Sequence, residues 1–209
     1  DNTSGFGNNA FGLSTLGDNT TGRYNVAIGQ ESLNKNTTGH NNTAVGISAL
    51  PAAVSANNNV AVGGFSLYNT TGGGNTALGY YAGDVLTSGT NNVVIGYNSE
   101  VSTSGASNQI VLGYSATGKG NNTVTLGNEG ITAVYAAEDG DAVIYAGGLN
   151  LDGVTISANA TELSYVDGVT SSIQDQLDAK QATLTAGSGI TISGSTISAG
   201  ITEGSISDG

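Results

Sequence analysis

The chain has 209 residues, 34 of them Gly, with a single Pro, no Cys, and 4 Lys and Arg against 16 Asp and Glu. Its net charge of -12 argues against wrapping nucleic acid or binding an anionic membrane surface. The missing Cys exclude a disulfide framework and thiolate metal sites, and no stretch approaches the ~18–20 apolar residues that membrane insertion requires.

From the N-terminal end one short pattern recurs. Aligned on a Gly that closes an apolar pair, the chain reads Asn8-Asn-Ala-Phe-Gly12, Asn25-Val-Ala-Ile-Gly29, Asn42-Thr-Ala-Val-Gly46, Asn59-Val-Ala-Val-Gly63, Asn75-Thr-Ala-Leu-Gly79 and Asn92-Val-Val-Ile-Gly96. Gln109-Ile-Val-Leu-Gly113 and Thr123-Val-Thr-Leu-Gly127 are weaker copies. Successive Gly lie 17, 17, 17, 16, 17, 17 and 14 residues apart. Asp1 falls inside a repeat, so a fragment or a processed chain is expected.

After each Gly comes a second element, seen as Ser32-Leu33, Ala49-Leu50 and Ser66-Leu67, then a polar corner such as Asn19-Thr-Thr-Gly22 or Asn36-Thr-Thr-Gly39. Two short β-capable pieces separated by Asn and Gly corners make one coil of a solenoid, and stacking buries an apolar face that no single unit can bury. Residues 1–130 are therefore predicted to form a solenoid shaft, with coils about 4.8 Å apart and equivalent residues in ladders. Alternation sends Val26 and Ile28 to one side and Ala27 to the other, and the small Ala suits a crowded inter-subunit seam. The closing Gly are expected at positive φ or at a close backbone approach. Neutral Asn ladders can bond between coils without charge repulsion, whereas calcium-binding rolls need Asp at the corners.

Residues 131–159 lose the Gly register and read as a β-rich transition: Ala133-Val-Tyr-Ala, Ala142-Val-Ile-Tyr-Ala and Leu149 to Ser157 as short strands, with turns at Asp139-Gly140 and Asp152-Gly153. Residues 160–181 hold the helical segment. Leu163, Val166, Thr170, Ile173 and Leu177 follow a/d spacing and make the candidate seam of a short coiled coil, restarted by a capping box of Ser171 and Gln174. Such a helix is marginal alone and needs a bundle of identical copies. Residues 182–209 are expected to be a β-strand connector, in which Leu184 to Ser198 alternate apolar and polar residues, with a tip or chaperone domain expected beyond it.

No catalytic, cofactor-binding or metal-ligating residue emerges, and no enzymatic activity is expected. His40 has no Cys or second His to share a zinc ion and reads as a solvated turn residue. Glu138, Asp139 and Asp141 form the one tight acidic cluster, around a Gly in a hairpin turn. Gly72-Gly-Gly74 and Gly118-Lys-Gly120 lack the full phosphate-loop pattern. Thr20-Thr21, Thr37-Thr38 and Thr70-Thr71 raise ice binding, which the irregular stretch from Pro51 to Asn57 disfavours. Tyr80, Tyr97 and Tyr114 each follow a closing Gly and predict an aromatic ladder, suited to stacking between coils and a candidate for glycan contact.

Residues 25–29 and 92–96 resemble the head repeats of trimeric autotransporter adhesins, which wind into a parallel β-roll shared by three chains. The adhesin unit is shorter than 17 residues, so a different cross-section is expected. Asn42-Thr-Ala-Val-Gly46 and the Asn-Thr-Thr-Gly corners are closer to repeats in fibre proteins of tailed bacteriophages, and Ala160 to Lys180 resembles a connector in tail fibres, notably of cyanobacterial phages. These resemblances imply an all-β, trimeric parallel β-solenoid or β-roll-like fibre with a short coiled-coil helix near its C-terminal part. They imply a virion tail-fibre shaft that supports host attachment. Its partners would be its own copies, other tail or baseplate proteins, and a host-surface glycan or protein receptor. A bacterial surface adhesin or extracellular filament is the alternative, and a polysaccharide-degrading tailspike the third.

Overall fold

The computed structural model describes residues 3–134, 149–151, 154–156, 169, 172–182, 190–193 and 196–199. The chain divides into two compact units, Asp1–Tyr135 and Ala136–Gly209.

In the first unit every repeat contributes one short strand. These are β1 (Asn9–Phe11), β2 (Val26–Ile28), β3 (Thr43–Val45), β4 (Val60–Val62), β5 (Thr76–Leu78), β6 (Val93–Ile95), β7 (Gln109–Leu112) and β8 (Thr123–Leu126). They form a single parallel sheet in sequence order. Pairing joins like positions: Ala27 lies opposite Ala10 and Ala44, and Ala61 opposite Ala44 and Ala77. The weaker copies obey the same register, with Val111 between Val94 and Thr125. About seven solenoid turns result, spanning roughly 34 Å at strand spacing.

The expected second strand of each coil is not extended. Leu16, Leu33, Leu50 and Leu67 have φ of 49°, 47°, 51° and 49°, in the left-handed region. An L-residue there costs roughly 1–2 kcal/mol, which full burial of a Leu side chain, about 1.5–3 kcal/mol, offsets. Leu33, Leu50 and Leu67 are fully buried. The segment still bonds along the axis without being a strand: Leu33 N–H donates to Ala49 O at 3.1 Å and Leu50 N–H to Ser66 O at 2.9 Å. In the coil that follows Leu67, Gly83 takes the Leu position, and Leu86 is buried three residues later, where the preceding coil has Thr70.

The Ala row also differs from expectation. Ala27, Ala44, Ala61 and Ala77, continued by Val94 and Val111, are fully buried inside one chain, facing the solenoid interior and not an inter-subunit seam. Alternation tells which residues share a side but not which side is inside; a coil this narrow takes the methyl inward and leaves the larger residues outward. Closing Gly satisfy both expectations. Gly46 has φ 137°, and a Cβ there would lie 2.6 Å from the carbonyl carbon and oxygen of Gly63 in the next coil.

Asn at the head of the first six strands form the predicted ladder. Asn42 Oδ1 accepts from Asn59 N–H at 3.0 Å and Asn59 Nδ2 at 3.2 Å, while Asn42 Nδ2 donates to Asn25 Oδ1 at 3.1 Å and Ala56 O at 2.8 Å. The backbone N–H to Oδ1 bond recurs at every step from Asn8 through Asn92, ending where Gln109 N–H donates to Asn92 Oδ1 at 3.0 Å. A second ladder starts with Asn36 Nδ2 donating to Asn19 Oδ1 at 2.8 Å. It stops at Ala53, and Asn36 Oδ1 has no hydrogen-bond partner among the described residues.

The second unit contains two antiparallel hairpins and one helix among its described residues. β9 (Leu149–Leu151) pairs with β10 (Val154–Ile156), and the register Leu151 to Val154 brackets the predicted turn residues Asp152 and Gly153. β11 (Ile190–Ser193) pairs with β12 (Thr196–Ala199) within the alternating connector. Of the other transition strands, Ala133 and Val134 carry no regular structure, and Ala142 to Ala146 lie outside the described residues. The helix α1 spans Ile173–Ala182. Ser172 caps it: Asp175 N–H donates to Ser172 Oγ at 3.1 Å, with that acidic residue in the first turn, and Ser171 of the expected capping box lies outside the described residues.

Candidate functional surface

Inward Ala forces the flanking strand residues outward. Across eight strands these outward positions are Asn9 and Phe11, Val26 and Ile28, Thr43 and Val45, Val60 and Val62, Thr76 and Leu78, Val93 and Ile95, Ile110 and Leu112, and Val124 and Leu126. None is charged in a chain of net charge -12. Ile28 is 43% exposed, Leu78 48% and Val124 61%, so a continuous apolar stripe follows the axis of the first unit. Contiguous exposed apolar patches are characteristic of interaction sites.

Beside the stripe stands the expected aromatic ladder. Tyr80 and Tyr97 stack with centroids 5.9 Å apart and planes 13° apart, and Tyr97 and Tyr114 repeat this at 5.8 Å and 16°. Phe65 meets Tyr80 edge-on at 5.7 Å and stacks on Tyr81 at 5.0 Å. Tyr97 therefore has a ring stacked on each side, from Tyr80 and from Tyr114.

The first threonine hydroxyl of the corner pairs is committed to the stack. Thr20 Oγ1 donates to Thr37 O at 3.0 Å, Thr37 Oγ1 to Val54 O at 3.1 Å and Thr87 Oγ1 to Ser104 O at 3.1 Å. An array with its protons already placed is poorly suited to ordering water, which counts against the ice-binding reading. His40 is likewise built into a corner: Arg23 N–H donates to His40 Nδ1 at 3.1 Å, and His40 N–H to Asn57 Oδ1 at 2.7 Å.

One carboxyl pair escaped the sequence reading. Asp84 and Glu100 sit on adjacent coils, and Val85 N–H donates to Glu100 Oε2 at 3.3 Å. Burial, then a hydrogen bond that the protonated Glu100 donates to the Asp84 side chain and that residue's charge, push the Glu100 carboxyl up to about 9. A pair in hydrogen-bond contact is closer than the ~5–9.5 Å that separates glycosidase carboxylates. The available signal was their separation of nearly one repeat, which a search for acids adjacent in sequence passes over.

Of the predicted coiled-coil residues, Ile173 and Leu177 are 53% and 57% exposed and lie four apart on α1, while Leu163, Val166 and Thr170 lie outside the described residues. The acidic cluster at Glu138, Asp139 and Asp141 lies outside them too. Among the described residues there is no group of three or more potential metal ligands, and no helix is long and apolar enough to cross a membrane. No protein-family model, curated relative or solved structure matches the chain.

Proposed function

We propose that this chain is a segment of a homotrimeric virion tail-fibre shaft that holds a receptor-binding tip away from the particle, and that no residue in it is catalytic. The observation that carries this reading is the uncharged apolar stripe along β1–β8. Such a stripe needs a cover, and a cover in register over about seven turns must share its axial repeat. A parallel copy of the same chain meets that requirement, and three copies close a ring with each stripe turned inward. Exposed Ile173 and Leu177 favour the same partners, because a ten-residue helix with an open apolar pair is stabilised by packing on like helices. Attachment then proceeds by mechanics and avidity: a stiff shaft presents three identical contacts at once.

Sedimentation equilibrium of the purified chain tests the assembly. The expected mass is about three times the 20.6 kDa chain, and a stable monomer at micromolar concentration would sink the trimer. Gold-labelled antibodies against the chain test its place. Labelling of virion tails is expected, and labelling confined to cell envelopes would replace the virion reading with the surface-adhesin one.

A further inference from the structure

The solenoid surface is interrupted by a notch. Equivalent positions in three successive coils are Glu31, Ser48 and Phe65; Asn34, Pro51 and Tyr68; and Lys35, Ala52 and Asn69. The middle coil therefore has three short residues where both neighbours have long ones. A cavity of about 170 Å³ opens over it, lined by all of these residues except Phe65.

The lining is chemically mixed. Tyr68 is 41% exposed, and its contact with Phe65 is tilted, at 5.7 Å and 54°, unlike the face-to-face rings of the Tyr80 ladder. Ser48 Oγ donates to Glu31 Oε2 at 3.4 Å, holding that carboxylate beside the short coil. Asn69 Nδ2 is engaged by Asp84 O at 2.7 Å, which leaves Asn69 Oδ1 as an acceptor. Lys35 supplies donors only, Glu31 acceptors only, and Asn34 both.

We propose that this notch is a binding site for a single pyranose ring of a glycan. Drug-sized ligands occupy clefts of about 300–1,000 Å³, so 170 Å³ admits one ring and little more. A sugar hydroxyl both donates and accepts, which suits a wall carrying a carboxylate, an ammonium and amides together. An anionic ligand would meet Glu31 and a cationic one Lys35, whereas a neutral polyol with an apolar ring face matches both walls and can lie against Tyr68. The proposal deepens the attachment role and rests on it for the source of the sugar. The chemistry of the notch stands apart from it.

Saturation-transfer NMR of the full chain with glucose, galactose, mannose and N-acetylglucosamine at millimolar concentration tests the site. Transfer to the ring protons of at least one sugar is expected. Ala52→Lys repeats the residue of the neighbouring coil and fills the notch, so it should reduce that transfer at least tenfold. Tyr68→Leu should do the same, and Tyr114→Leu, on the ladder, should leave it unchanged. Circular dichroism checks folding, and if Ala52→Lys fails to fold, Tyr68→Leu decides. No transfer from any of the four sugars, or undiminished transfer in a folded notch variant, overturns the proposal. A trimer that binds none of them removes the notch and leaves the shaft standing, whereas a monomer that binds one does the reverse.

Discussion

At the scale of single residues the solenoid depends on the Asn that heads its first six strands and the Gly that closes all eight. Asn42 is fully buried, and its Nδ2 serves two acceptors, Asn25 Oδ1 and Ala56 O. Asn42→Asp would set a buried carboxylate against both oxygens, and a loss of about 3 kcal/mol is expected in urea-induced unfolding. A midpoint unchanged from wild type would mean that the ladder contributes little. The closing Gly fail for a different reason. Gly46→Ala meets both a left-handed φ and the Gly63 carbonyl, so a loss of about 3 kcal/mol or more is expected. Gly105→Ala, where a Cβ finds only Ser88 Oγ at 3.6 Å, should stay within about 0.5 kcal/mol of wild type by the same measurement.

At the scale of elements, the contact between adjacent coils at Asp84 and Glu100 makes stability depend on pH. The Glu100 carboxyl titrates near 9 in the folded chain against an ordinary value of 4.5, so the folded state keeps a proton that the unfolded state releases. Stability from this group is full below about pH 4.5, falls as pH rises, and levels off above about 9. Glu100→Gln keeps an acceptor for Val85 N–H and cannot ionise. Its thermal midpoint should exceed that of wild type by a margin that widens from pH 5 to pH 9, and a constant margin would refute the coupling. Elements also show what the sequence disclosed. The eight strands, their Asn heads, their closing Gly and the Tyr ladder were legible, because each repeats at fixed spacing and each has a local physical cause. The second side of the coil was not, since Ser32-Leu33 has strand composition while Leu33 sits at positive φ. That conformation is imposed by the need to turn a narrow coil and bury Leu33, a tertiary demand without a local mark. The outward stripe was misassigned because Ala27 fits a tight interior and a tight seam equally well. The notch left no motif at all: Ser48, Pro51 and Ala52 matter only by contrast with residues 17 positions away on either side.

At the scale of the whole molecule the outward stripe separates folding from assembly. Leu78 is 48% exposed, so Leu78→Glu should leave the circular dichroism spectrum of the single chain intact while placing a charge in the proposed seam. The expected outcome is a folded species sedimenting near 20.6 kDa, and a persistent trimer would remove β5 from the interface. The like-on-like register of β1–β8 has one more implication. Because Asn42 and Asn59 head consecutive strands, and Thr43 and Val60 follow them at equivalent places, excising residues 43–59 joins Asn42 to Val60 with every ladder still aligned. Each such excision or duplication changes reach by about 4.8 Å and leaves the cross-section alone. The repeat is thus a graduated ruler, whose length can be edited in whole divisions without redesigning anything fixed to either end.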